Sequence, residues 1–161
     1  MVFLRHILPE DRERILDILT SEKVNQNYML PDFESREAAI PLFNRLLEMS
    51  RDAKKYVCAI ATEEGLVGFV NQVEILAQRI ELGYVIHPDE QGKGYMTAAL
   101  QLMMKELFAM GYEQIITGAF STNVASIRVM EKCGMTRMAH TDQIEYRGAT
   151  HICVYYRKER I

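Results

Sequence analysis

The chain has 161 residues, 48% of them hydrophobic and 25% charged, with a formal net charge of −3. That is one domain's worth of sequence, long enough to bury about two thirds of its unfolded surface without a disulfide or metal. A slightly acidic balance without a basic run removes any compositional case for a DNA-binding module. Cys58, Cys133 and Cys153 are odd in number and form no Cys-x-x-Cys pair, so neither a disulfide framework nor a zinc site is expected. Met1 to Pro9 lacks the apolar core of a signal peptide, and no run reaches the ~18 apolar residues of a membrane span. The expectation is a cytoplasmic protein, one domain over residues 1–161.

In chain order, Val2–Ile7 reads as a short strand and Asp11–Thr20 as an amphipathic helix burying Ile15, Leu16, Ile18 and Leu19. Ser21–Phe33, with Asn25, Asn27 and Pro31, reads as loop. A second helix runs from Ser35 to Met49, with Pro41 in its first turns. Tyr56–Thr62 and Leu66–Val73 flank a Glu64-Gly65 turn at hairpin distance. In the next strand, Gln78–His87, Ile80, Leu82, Tyr84 and Ile86 form an apolar face. The opposite face carries Glu81, Gly83, Val85 and His87, and is expected to look toward something other than the core. Pro88 ends the strand, Tyr95–Met110 is a largely buried helix, and Gly111 stops it. Gln114–Phe120 is a strand, Asn123–Lys132 a helix closed by Gly134, and Met135–Thr141 and Ala149–Arg157 are the last strands. This β-α-α-β-β-β-α-β-α-β-β order predicts an α/β protein, a mixed sheet with helices on both faces and a right-handed parallel crossover over residues 78–120.

The chemistry concentrates in Gln91-Gly92-Lys93-Gly94-Tyr95-Met96, between a strand and a helix. Two glycines permit positive φ and let successive N–H groups converge, and the helix N-terminus adds about half a positive charge. Such a hollow suits a phosphate or pyrophosphate. The dinucleotide fingerprint fails, because Thr97 stands where its third glycine belongs, and the chain contains no Walker A string.

With Val85-Ile86-His87-Pro88 ahead of it, this loop resembles the GNAT superfamily of N-acetyltransferases, whose Gln/Arg-x-x-Gly-x-Gly/Ala loop binds the pyrophosphate of acetyl-coenzyme A. Gln91 and Gly94 match, and Met96 departs from the pattern at the last position. Asn123-x-x-Ser126, continuing to Glu131-Lys132-Cys133-Gly134-Met135, resembles the family's second element. Together with Glu81-Leu82-Gly83-Tyr84, it looks most like the branch that includes the ribosomal-protein N-terminal acetyltransferases.

The resemblance implies a splayed sheet of about seven strands with four main helices, and acetyl-coenzyme A as cosubstrate without a metal. Its pantetheine arm would lie between Gln78–His87 and Gln114–Phe120, pairing with the backbone of Tyr84, Val85 and Ile86, while residues 91–96, Asn123 and Ser126 hold the rest. Glu81 is the candidate base, and Ser126 the candidate donor to the departing sulfur, because the family's tyrosine position is occupied by Met130. His87 is read as structural, and His6, His140 and His151 as scattered.

Two acceptors remain open within this reading: a protein N-terminus, or a small amine such as a polyamine, amino acid or antibiotic. A non-catalytic acyl-coenzyme A-binding module is the alternative of another class. Specificity is expected in Ser21–Phe33, in the second helix and in the turn Asp142–Gly148, where Asp32, Glu34, Glu37, Asp142 and Glu145 form an acidic rim. Monomer and homodimer are both open.

Overall fold

The computed structural model describes residues 1–161. One seven-stranded sheet collects β1 (Phe3–Arg5), β2 (Val57–Thr62), β3 (Gly65–Leu76), β4 (Arg79–Ile86), β5 (Gln114–Phe120), β6 (Thr136–Tyr146) and β7 (Ala149–Glu159). Their spatial order is β1-β2-β3-β4-β5-β7-β6, and β4–β5 is the parallel pair in an otherwise antiparallel ladder. The helices are α1 (Arg12–Leu19), α2 (Glu22–Asn25), α3 (Ile40–Met49), α4 (Tyr95–Ala109) and α5 (Val124–Lys132).

Each face of the sheet is hydrophobic and each is covered, which makes two cores. On one side α4 and α5 pack Leu100, Met103, Leu107 and Met130 onto Ile80, Leu82, Ile115 and Val154. On the other, α1 and α3 pack Ile15, Leu19 and Phe43 onto Ala59, Phe69 and Val85. Truncating any of the large fully buried side chains to alanine costs about 2–5 kcal/mol.

Several expectations are corrected. Ser21–Phe33 is not all loop: Ser21 accepts a hydrogen bond from the Val24 amide and caps the one-turn helix α2. The second helix begins later than its hydrophobic pattern, as a 3-10 turn over Glu37–Ala39 with Pro41 in the first turn of α3. The second face of β4 is polar only in part, because Val85 belongs to the α1–α3 core and His87 is 3% exposed. The supposed turn at Asp142 is strand, since β6 runs to Tyr146 and leaves Arg147-Gly148 as the hairpin tip.

One irregularity bears on the site. The β3–β4 ladder shifts register between Gln72 and Glu74, so Val73 is an unpaired bulge residue and Glu74 comes to lie opposite Glu81.

Candidate active site

The parallel ladder between β4 and β5 holds for four residue pairs, Arg79↔Gln114 to Leu82↔Thr117, and then stops. Both strands continue, β4 to Ile86 and β5 to Phe120. The outer edges of these extensions stay occupied, β4 on β3 and β5 on β7. Their facing edges therefore splay apart. A cavity of ≈ 540 Å³ opens there, lined by Gly83, Tyr84, Val85 and Ile86 from one wall and Gly118 and Ala119 from the other.

The glycine-bearing loop forms the next wall. Gly92 and Gly94 both hold φ at +79°, and a Cβ built on either would meet nothing within 4 Å. α4 starts on Gly94 with no side chain capping its first turn, and Gly94, Tyr95, Met96 and Thr97 of that turn line the cavity. The Gln91 side chain donates from Nε2 to the Ile86 carbonyl at 3.2 Å, fastening the loop to the end of β4.

The scaffold beneath the loop is polar, with His87 buried within it. His87 Nδ1 accepts from the Asp89 amide at 3.1 Å, which leaves the proton on Nε2 to reach Asp17 of α1 at 2.9 Å. Glu90 bridges Arg14 of α1 and Lys93. His87 is thus structural, as its position before a proline predicts. His140 pairs with Asp142, and the His151 ring stacks on Phe120.

Most of the residues singled out in the sequence converge on this cavity: Tyr84, Val85, Ile86, Gln91, Gly92, Gly94, Tyr95, Met96, Asn123 and Ser126 line it. Met96, the departure from the family pattern, also packs into the α4 core. Two do not join them. The Lys93 side chain turns to Glu90 at 3.0 Å. Glu81 lies two residues along β4 from Gly83, where β4 and β5 are still paired through Glu81↔Ile116. Partial burial, then Glu74 and Asp142 nearby, raise the Glu81 carboxyl above its ordinary range, while Arg79 opposes them.

Sequence reasoning missed two groups. Lys23, Arg128 and Lys132 line the cavity without a carboxylate partner. The i, i+4 spacing of Arg128 and Lys132 on α5 was the available signal. At β4, the Tyr28 hydroxyl donates to Asn71, and both oxygens would lie in ordinary contact, 3.5 Å, with a Cβ at Gly83.

The acidic rim is largely spent in ion pairs and hydrogen bonds. Arg147 bridges Glu22 at 2.7 Å and Asp32 at 2.5 Å, Asp142 accepts from Tyr155 at 2.7 Å, and Glu145 accepts from Thr150. The Tyr146 hydroxyl donates to the Asn25 carbonyl at 2.8 Å, so the β6–β7 tip and the segment after α1 form one roof over this side.

This architecture is that of a known family. The Acetyltransferase (GNAT) domain matches residues 2–136, and the chain belongs to that family. It is an N-acetyltransferase. It is 29% identical over 158 residues to the uncharacterized N-acetyltransferase YoaA of Bacillus subtilis, covering 92% of this chain and 87% of that protein. In fold it resembles spermidine N-acetyltransferase from Vibrio cholerae, solved with CoA and spermine (TM-score 0.82, 18% identity, 98% and 95% of the two chains). It also resembles ribosomal-protein-S5-alanine acetyltransferase from Vibrio fischeri (TM-score 0.79, 17% identity, 98% and 92%). No three His, Cys, Asp or Glu side chains gather to hold a metal, and no helix is long and apolar enough to cross a membrane.

Proposed function

We infer that this enzyme, one domain over residues 1–161, transfers acetyl from acetyl-coenzyme A to the α-amine of a protein N-terminus, in the manner of the ribosomal-protein branch. The observation that carries the cosubstrate is the splay that runs into an uncapped helix N-terminus. Free amides and carbonyls on facing strand edges match the amides of a pantetheine arm, as an added strand would. The amides of Gly92 to Met96 take the pyrophosphate, Asn123 lies beside the arm, and Lys23, Arg128 and Lys132 supply cations for the remaining phosphate charge.

Transfer is direct. The amine nitrogen attacks the thioester carbon and its lone pair becomes the C–N bond. The carbonyl oxygen takes up negative charge beside a backbone N–H of Tyr84–Ile86. The C–S bond then breaks with its electron pair on sulfur, where the Ser126 hydroxyl stands as donor. The proton shed by the nitrogen passes through water to Glu81, which lies outside the cavity wall.

Amine arithmetic supports the acceptor. An α-amine of pKa about 8 is roughly one tenth neutral at pH 7, whereas a lysine near 10.4 is neutral in only about one molecule in a few thousand. A single carboxylate acting through water suits the smaller demand. Three free thiols, two of them buried, fit a reducing, cytoplasmic setting.

A small-amine acceptor has one observation in its favour: the roof fastened by Tyr146 and Arg147 narrows the acceptor side. Mass spectrometry after incubation with acetyl-coenzyme A separates the two readings. Free-N-terminus peptides are expected to be acetylated faster than spermidine or N-blocked lysine peptides. The reverse order would assign the enzyme to small amines.

A further inference from the structure

Met130 sits where the family resemblance places a hydroxyl donor for the leaving sulfur. It is fully buried in the α4–α5 core, beside Thr117, and has no proton to give. Two hydroxyls stand at the cavity wall instead. Tyr84 reaches from β4, past the last β4–β5 rung, and Ser126 from the first turn of α5, and their oxygens are 2.8 Å apart. Neither oxygen has another protein partner, while the Ser126 amide is already held by Asn123 Oδ1 at 3.3 Å. The bond therefore spans the splay from strand to helix.

We propose that Tyr84 is a positioning residue that donates its phenolic proton to Ser126 Oγ and so turns the serine proton toward the leaving sulfur; this rests on the acetyl-coenzyme A reading above. The direction of the bond follows from acidity. A phenol is a stronger acid than an aliphatic alcohol, hence the better donor, and the serine oxygen is the better acceptor. With its acceptor role filled by Tyr84, Ser126 keeps one hydrogen free, and the developing thiolate is the acceptor that enters the cavity.

The pair stabilises charge without giving up a proton. Burial pushes the Tyr84 hydroxyl up to about 12, the bond to Ser126 opposing it, whereas a thiol titrates near 8.5. Full transfer from Tyr84 to the thiolate is thus uphill. The C–S bond breaks with both electrons on sulfur, which departs as thiolate under the Ser126 hydrogen bond and the positive end of α5. Both hydroxyl protons stay on their oxygens. The amine's surplus proton leaves through Glu81 to water, and solvent protonates the thiolate after release.

A double-mutant cycle on the full-length enzyme tests this, with thiol release followed against whichever amine the wild type accepts. Tyr84→Phe keeps the ring and loses the donor, and is expected to lower kcat about three- to ten-fold with KM for acetyl-coenzyme A unchanged. Ser126→Ala is expected to cost at least as much, Ser126→Thr to retain most of the rate, and Tyr84→Phe to add nothing to Ser126→Ala. A Tyr84→Phe loss that persists undiminished in the Ser126→Ala background, or appears only as higher KM, would overturn the relay. Should Tyr84→Phe fail to fold, Ser126→Ala decides: wild-type kcat there overturns the proposal, and a selective kcat loss restored by Ser126→Thr supports it. A wild type that releases no thiol and gains no thermal stability from coenzyme A is a failure of the acetyl-coenzyme A reading itself.

Discussion

Glu81 shows how one carboxylate acquires its properties from a neighbouring strand. Partial burial, with Glu74 brought opposite by the bulge at Val73 adding its repulsion, makes the fold hold the Glu81 proton more tightly than the unfolded chain does. A carboxyl raised in this way favours the fold at low pH, and that contribution is lost as pH rises above the ordinary 4.5 through the folded value. Glu81→Gln is therefore expected to act in two directions at pH 7: turnover falls, while Tm rises or holds. At about pH 9, where an α-amine is already mostly neutral, the deficit in turnover should shrink. Parallel pH–rate profiles for mutant and wild type would remove Glu81 as the base. The sequence exposed Glu81 as a charged residue on a face of mostly small or polar residues. It hid the Val73 bulge, because the expected strand ended at Val73 and only the ladder shows the extra residue. His87 was legible for a local reason, its place before Pro88, whereas its partner Asp17 lies 70 residues away.

At the scale of elements, the β4–loop–α4 unit is a rigid presentation of free amides. Its backbone needs Gly94 in the left-handed region, and the open space around that residue is where phosphate oxygens would sit. Gly94→Val is expected to abolish coenzyme A binding measured by calorimetry, because a β-branched side chain both resists that φ and fills the hollow. The fold should persist, weakened by about 1–2 kcal/mol of backbone strain. Wild-type affinity in a folded mutant would sink the loop assignment. This unit was readable because its signals are contiguous: a proline, two glycines and a helix within ten residues. The roof was not. Tyr146 meets Asn25 across 121 positions of sequence, and nothing local in either segment announces the contact. Tyr84 and Ser126 were each noticed, but their bond depends on how far β4 and β5 diverge.

Across the whole molecule, the succession of elements and the helices on both faces of a mixed sheet followed from apolar periodicity, and β5 came out with its expected bounds. The misjudged lengths are in β3, whose last residues are largely exposed, and in β6, an edge strand with no buried residue, so both lack there the burial that patterns a sequence. The same topology has a mechanical side. β1–β4 form one half-sheet and β5–β7 another, and four parallel rungs are the sheet's seam between them. A molecule arranged so is a book with a short spine. A cosubstrate lying in the open part would stitch the two leaves by supplying the rungs the protein omits. In amide hydrogen exchange, Gly83–Ile86 and Gly118–Phe120 are expected to slow on coenzyme A binding far more than the β2–β3 hairpin does, and equal protection everywhere would argue against a seam. The gap that makes room for the reaction is then also the place where ligand and protein share one cooperative structure.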